Sequence, residues 1–283
     1  MRIIFDAVGG IGKNIAATVI VKLLKNKYPD SHLTVLSSYP EIFENNPNVN
    51  ELDHINHRSG HFWRGLDYDK ILVQDPYHHT DLITKKSHLI EAWAKIYDLD
   101  YNGEKPEMFF TDEEEQSFQF QGNKPIMVLH PNGGTETELY NYNWSRDLPE
   151  YIVNEVINKY KDEYDIYHIK SSTQRITYSN TIVADYDIRT IAMLIMQSDK
   201  RLFIDSFAQH LATCLDKPST VCWITTSPSE FGYEIHNNII RAPYEINQEF
   251  TCYEGYNLIE PLALMPWTSN KKIFNLDQIL NTI

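Results

Sequence analysis

Asp205-Ser206-Phe207 stands between a short apolar run, Lys200-Arg201-Leu202-Phe203-Ile204, and a segment, 208–215, whose spacing predicts a short helix. A strand that turns at once into a helix aims free backbone N–H groups at whatever lies over the turn. Such a turn suits an anion, a phosphate above all. Asp205 falls at the strand's carboxyl end, and Ser206 is placed to act as N-cap. His210 comes about one turn into the helix, where it either faces the same ligand or is a satisfied, partly buried side chain.

Two further stretches carry residue types of the same kind. His130 and Asn132 follow the strong apolar run Ile126–Leu129 and so lie at a carboxyl strand end, the ligand side of an open α/β sheet. Gly133-Gly134 would let backbone approach a phosphate closely, although an ordinary glycine-rich turn has the same composition. Near the amino terminus, Gly9-Gly10-Ile11-Gly12-Lys13 follows another apolar run. It is not a P-loop, because Ala7 stands where the first Gly is needed and Asn14 where Ser or Thr is needed. It is not a dinucleotide fingerprint either, since Ile15 holds the place of the third Gly. Asp6, at the end of the first run, is either a loop cap or a carboxylate available for chemistry. His54, His57 and His61 have suggestive spacing, but no carboxylate or Cys pattern completes a metal site, so they are read as loop residues.

The elements that position these residues alternate. Arg2–Asp6, His32–Leu36 and Lys70–Gln74 read as strands, with a thoroughly apolar helix over Asn14–Lys27 and another over Ser87–Tyr97. Strand, helix and strand with a short return make a right-handed parallel βαβ unit. Thr111-Asp112-Glu113-Glu114 is a capping-box signal for a short solvated helix. Gly122-Asn123-Lys124-Pro125 punctuates the chain, and the boundary between two domains is placed there, 1–122 and 123–283. The second half repeats the alternation: a strand at 126–130, a helix over 148–161, strands at 166–169 and 181–183, and a helix over 188–197. The strand at 202–204, the motif helix and a strand at 219–224 follow, with a last helix over 275–280. The expected fold class is therefore α/β, with two Rossmann-like domains facing a central cleft.

Composition bounds the partners. A charged fraction of 23% beside 42% hydrophobic residues is ordinary for a soluble globular chain. The net charge of −14 argues against bulk binding to nucleic acid or to an anionic membrane. No apolar run is long enough for a transmembrane helix, and Asp6 inside the first apolar run breaks a signal-peptide layout. Cys214, Cys222 and Cys252 form neither a disulfide framework nor a zinc pattern, which points to a reducing cytoplasm.

The segment Asp205 to Pro218 resembles the donor-site motif of family 9 glycosyltransferases, the heptosyltransferase-like enzymes. That motif runs Asp, a small hydroxyl residue, Gly, two variable residues, His-Leu-Ala and a later Pro. Every part is present here except the Gly, which is Phe207. Gly9–Gly12, His130–Gly134 with Trp144, and Thr226-Ser227-Pro228 resemble further family segments in the right order. The resemblance implies a GT-B fold and transfer of a sugar from a nucleotide-diphosphate donor to a hydroxyl acceptor. It makes His130, Asn132, Gly133, Gly134, Asp205, Ser206, Phe207 and His210 the donor side. Gly10 and Gly12 then belong to an acceptor-side loop. The family's basic residue before the Trp is absent here; Arg146 is a candidate to replace it, and Lys170, Ser171, Ser172 and Thr173, which follow the next strand, are further candidates to face the cleft. Lys13 takes the position of the family's catalytic Asp, which makes Lys13 and Asp6 the catalytic candidates. No metal or other cofactor is implied, and the acceptor is open among glycans, glycolipids and other hydroxyl compounds. In this fold the tail often packs back on the first domain. Two alternatives stay open at this stage: a catalytically inactive binding or structural module, and a sugar-nucleotide epimerase of the same fold.

Overall fold

The computed structural model describes residues 1–63, 67–117, 120, 122–133, 146–172, 174, 176–242 and 272–283. The chain divides into two compact units, Met1–Gln119 with Thr213–Leu215, and Phe120–Ala212 with Asp216–Ile283.

The first unit runs β1 (Arg2–Ala7), α1 (Ile11–Lys27), β2 (His32–Ser37), β3 (Glu51–His54), α2 (Arg58–Trp63) and β4 (Lys70–Leu72). Then come α3 (Thr80–Ile83), α4 (Leu89–Ile96) and α5 (Asp112–Ser117). Its sheet has the order β3-β2-β1-β4, all parallel, with Ile3 opposite both Leu33 and Lys70. β1 and β2 are buried along all but their first residue, because helices cover both faces of a parallel sheet. α1 carries apolar residues on nearly every face and is buried almost throughout. It begins at Ile11, earlier than the sequence predicts, so Gly12 and Lys13 belong to its first turn and not to a loop. The cause is Asn14, whose side-chain amide donates to the carbonyls of Gly9 and Gly10, both at 3.0 Å, and closes the turn.

The second unit runs β5 (Ile126–His130), α6 (Glu150–Tyr160), β6 (Asp165–Ile169), β7 (Ile182–Ala184), α7 (Ile188–Gln197) and β8 (Lys200–Ile204). It continues with α8 (Phe207–Cys214), β9 (Thr220–Trp223), α9 (Pro228–Phe231), β10 (Asn237–Ile240) and α10 (Leu276–Thr282). The sheet order is β10-β9-β8-β5-β6-β7, again all parallel. The chain enters at the centre with β5, moves outward through β6 and β7, returns to β8 and moves outward the other way. This is the doubly wound α/β order, and it reverses between β5 and β8.

The described carboxyl-terminal residues, 272–283, pack in the second unit's own core. Ile273, Phe274 and Ile279 are buried with Ile152, Val156 and Tyr160. Polar contacts fasten the same tail: Lys159 Nζ donates to the Leu280 carbonyl at 3.1 Å and Lys200 Nζ to that of Ile283 at 2.7 Å. Apolar residues of α10 complete a face that α6 and the sheet would otherwise leave open to water. Among the described residues, no helix is long and apolar enough to cross a membrane.

Candidate functional site

In the second unit β5 and β8 lie side by side, with His130 opposite Phe203, so their carboxyl ends share the point where the sheet reverses. Ligands of open α/β sheets bind outside the strand ends at such a point. Here the His130 Nδ1 lies 2.7 Å from the Ser206 hydroxyl. The Phe207 ring meets the His130 ring edge-on, with centroids 4.9 Å apart. The Thr226 hydroxyl, beyond β9, donates to Asp205 Oδ2 at 2.6 Å. Side chains therefore stitch three strand ends together, and α8 leaves from the stitched edge with Phe207 as its first residue. Burial pushes the His130 imidazole down to about 3, with the neighbouring His168 as a smaller cause, so it is neutral near pH 7.

Asn132 and Gly133 are held by a residue that sequence reasoning missed. Asp147 accepts from the Gly133 N–H at 2.8 Å through Oδ1 and from the Asn132 amide at 3.1 Å through Oδ2. The N–H expected to meet a phosphate is thus already bonded to a carboxylate. A Cβ at Gly133 would come within 3.2 Å of Ile204 Cδ1, which would have to give slightly, and within 4.0 Å of Arg146 Cδ. That second distance places Arg146 beside this loop. Gly134, Trp144 and Thr173 lie outside the described residues. Lys170, another candidate for the ligand side, instead donates to the Ile176 carbonyl and the Thr177 hydroxyl, both at 2.9 Å. On β6, opposite Leu129, His168 is fully buried with its ring 5.2 Å from that of Tyr178. Burial, and after it the charge of Lys170, hold His168 down at about 4.

His210 is buried and bonded within the protein. Its Nδ1 is 2.7 Å from the Tyr233 hydroxyl and its Nε2 is 3.1 Å from the Gln209 amide. The same Gln209 amide donates to the Phe231 carbonyl at 2.8 Å, so His210 belongs to a network that seats α8 against α9.

The first unit has a reversal of its own, between β1 and β4. Asp6 is buried at the end of β1, and burial raises its pKa, opposed mainly by Arg58. Arg58 Nε stands 2.9 Å from Asp6 Oδ2 as an ion pair, although the contact does not have hydrogen-bond alignment. Lys13 crosses the reversal, with its ammonium 2.7 Å from Asp75 Oδ2 just beyond β4. It also lies over the rings of Tyr77 and Trp93, at 5.3 Å and 5.4 Å from their centroids. Gly9 has φ of +129° and lies against the Lys13 stem, where a Cβ would come within 2.8 Å of Lys13 Cδ. Gly10 sits in extended backbone before α1 with open space where a Cβ would be. Asp6, Lys13, Gly9 and Gly10 are therefore gathered by one β1–α1 turn, and Asp75 is the partner that sequence reading did not pair with them.

His57 and His61 are placed by β3 and α2 around a carboxylate. His57 Nδ1 is 2.6 Å from Asp53 Oδ1 and His61 Nε2 is 2.9 Å from Asp53 Oδ2. Although burial opposes it, hydrogen bonding from His61 and then His57 holds the Asp53 carboxyl down at about 2. Among the described residues, no group of three or more His, Cys, Asp or Glu side chains is arranged to hold a metal ion.

No protein-family model matches the chain, and no curated protein matches it. Solved structures do. E. coli ADP-heptose lps heptosyltransferase II aligns at 16% identity with a TM-score of 0.64, over 86% of this chain and 91% of that one. The glycosyl transferase family 9 protein from Veillonella parvula aligns at 15% identity and 0.61, over 84% and 85%. E. coli heptosyltransferase WaaC with ADP aligns at 11% identity and 0.57, over 86% and 94%. The chain thus shares the fold of these glycosyltransferases.

Proposed function

We propose that this chain is a glycosyltransferase similar to family 9, with a GT-B architecture, moving a sugar from a nucleoside-diphosphate donor to a hydroxyl acceptor. The observation that carries the reading is the His130–Ser206 pair at the reversal of the second sheet, in a fold shared with an enzyme solved with ADP. In this reading the second unit takes the donor and the first unit's loops take the acceptor. With neutral His130 donating from Nδ1, the Ser206 hydroxyl keeps its own proton for a phosphate oxygen. The amino-terminal end of α8 adds positive potential as the sugar–oxygen bond breaks and charge gathers on the diphosphate. These groups stabilise the leaving diphosphate without calling on a metal.

A second reading, a module that binds nucleotide without turnover, draws support from the Gly133 N–H being bonded to Asp147. One experiment covers both. Thermal shifts of the full chain are measured with ADP, GDP and UDP, and then with ADP-heptose, ADP-glucose, GDP-mannose and UDP-glucose. A shift with one nucleotide series that Ser206→Ala abolishes supports the donor site, because a ligand bound only to the folded state raises apparent stability. Release of the nucleoside diphosphate from the matching sugar supports the transferase, and a shift without release supports the module. No shift with any of the seven compounds sinks both readings.

A further inference from the structure

A hydroxyl acceptor must lose its proton as its oxygen bonds to the sugar, so the acceptor side needs a reachable base. Among its described residues the first unit offers three carboxylates near the carboxyl ends of its strands: Asp6 in β1, Asp53 in β3 and Asp75 just beyond β4. They differ in ways that separate them. The Asp6 side chain is 1% exposed, and Arg58 lies against it, so an acceptor cannot reach its oxygens. Asp53 lies in the edge strand β3, two strands away from β1's junction with β4, and His57 and His61 hold its two oxygens. The same contacts hold its carboxyl down at about 2, which makes it a poor proton acceptor near pH 7.

Asp75 differs from Asp6 in its exposure and from Asp53 in standing beside the reversal between β1 and β4. Its side chain is 32% exposed, while the Lys13 side chain that grips it is 4% exposed. Lys13 holds Oδ2 at 2.7 Å, and the Tyr77 N–H holds Oδ1 at 3.0 Å from the turn that follows. Two donors from the protein side fix the carboxylate's direction, and each oxygen keeps a further lone pair. Lys13 is itself fixed, by Gly9 beneath its stem and by the Tyr77 and Trp93 rings. The pair stands between β1 and β4, where the first sheet reverses.

We propose that Asp75 is the base that takes the acceptor hydroxyl's proton and that Lys13 is the positioning residue that holds it; this rests on the transferase reading above. In the step, the acceptor oxygen forms its bond to the sugar's anomeric carbon as its proton passes to Asp75. The bond from that carbon to the diphosphate oxygen breaks, and its electron pair leaves with the diphosphate. The carboxylate is supplied by the strand neighbouring the glycine turn, so a lysine in that turn is compatible with catalysis.

The test uses the full chain with water as the acceptor and the nucleotide sugar from the seven-compound screen that yields release. Release is followed in wild type, Asp75→Asn and Asp75→Ala, with nucleoside-diphosphate affinity and thermal midpoint measured in each. Asp75→Asn keeps an oxygen for the Tyr77 N–H, so its fold is expected to persist. The expected result is a rate lower by about 100-fold or more, the range of a general base, with nucleotide affinity unchanged. Added sodium formate is expected to restore part of the rate in Asp75→Ala and to add nothing to wild type. A folded Asp75→Asn with wild-type rate overturns the role of Asp75 alone. So does a slow Asp75→Ala that formate does not help, since the loss is then structural. A wild-type chain that binds nucleotide but releases nothing from any sugar overturns the transferase reading, and the role of Asp75 with it.

Discussion

The His130 ring and the Ser206 hydroxyl meet at 2.7 Å although 76 positions separate them in the chain. They meet because β5 and β8 are neighbours at the one place where the second sheet changes direction. The pair joins a ring that burial keeps neutral to a hydroxyl at the start of a helix. That combination sets several expectations.

Ser206→Ala removes a hydroxyl that touches both His130 and, in the proposed reading, a phosphate. Nucleoside-diphosphate affinity is expected to fall by about 1–3 kcal/mol, the size of a hydrogen bond to a charged group. Titration calorimetry reads the affinity, and an unchanged value with a normal fold removes Ser206 from the donor site.

His210→Ala is expected to act mainly on stability. It deletes the contacts to the Tyr233 hydroxyl and the Gln209 amide that help seat α8. The expected loss is about 1–3 kcal/mol in denaturant melts, with a smaller effect on nucleotide affinity than Ser206→Ala. The reverse order would make His210 a ligand contact first and a structural tie second.

Stability should fall with acid. His130 is held at about 3, and His168 and His236 at about 4, each by burial. The unfolded chain protonates these rings near 6.5. Between pH 6.5 and pH 4 the unfolded state therefore binds up to about three protons that the folded state refuses, and stability drops as pH falls. Urea melts at pH 7, 6 and 5 read the slope. His168→Leu should make it shallower by about one proton's worth. An unchanged slope in that variant means that His168 titrates alike in both states.

Gly9→Ala and Gly10→Ala should differ although the residues are neighbours. At Gly9 a Cβ meets the Lys13 stem at 2.8 Å, and φ is +129°. At Gly10 there is open space and φ is −69°. Gly9→Ala is expected to cost about 1–3 kcal/mol, the scale of enforced backbone strain, and Gly10→Ala much less. Equal midpoints in thermal melts would show that the turn relaxes freely.

Ile279→Ala tests the placement of the tail. Ile279 is fully buried in the second unit's core, so the truncation should cost about 2–5 kcal/mol. A change near zero in denaturant melts would mean that α10 adds little to that core.

The sequence by itself determined the layered α/β plan. Strands β1, β2, β5 and β8 are covered on both faces and so appear as mostly apolar runs. α1 showed itself by apolar residues on every side. The motif at Asp205-Ser206 was legible because a strand end, a polar turn and a helix are all local. Of the four edge strands, β4 and β7 were legible, and β3 and β10 were not. β3 reads Glu-Leu-Asp-His and β10 reads Asn-Asn-Ile-Ile, because an edge exposes part of its surface and tolerates polar residues.

Pairings between distant residues were decided only by the tertiary structure. Lys13 and Asp75 lie 62 positions apart, and their bond depends on β1 and β4 being neighbours in register. Asp53 was passed over when His54, His57 and His61 were weighed, yet it bonds two of those rings once β3 and α2 bring them together. Asp147 holds Gly133 across a stretch of chain that gives no local signal of the contact. Local sequence sets the propensity and burial of each segment. Which strand ends become neighbours is set by the summed packing of whole sheets, and the Lys13–Asp75 and His130–Ser206 pairs form at those ends.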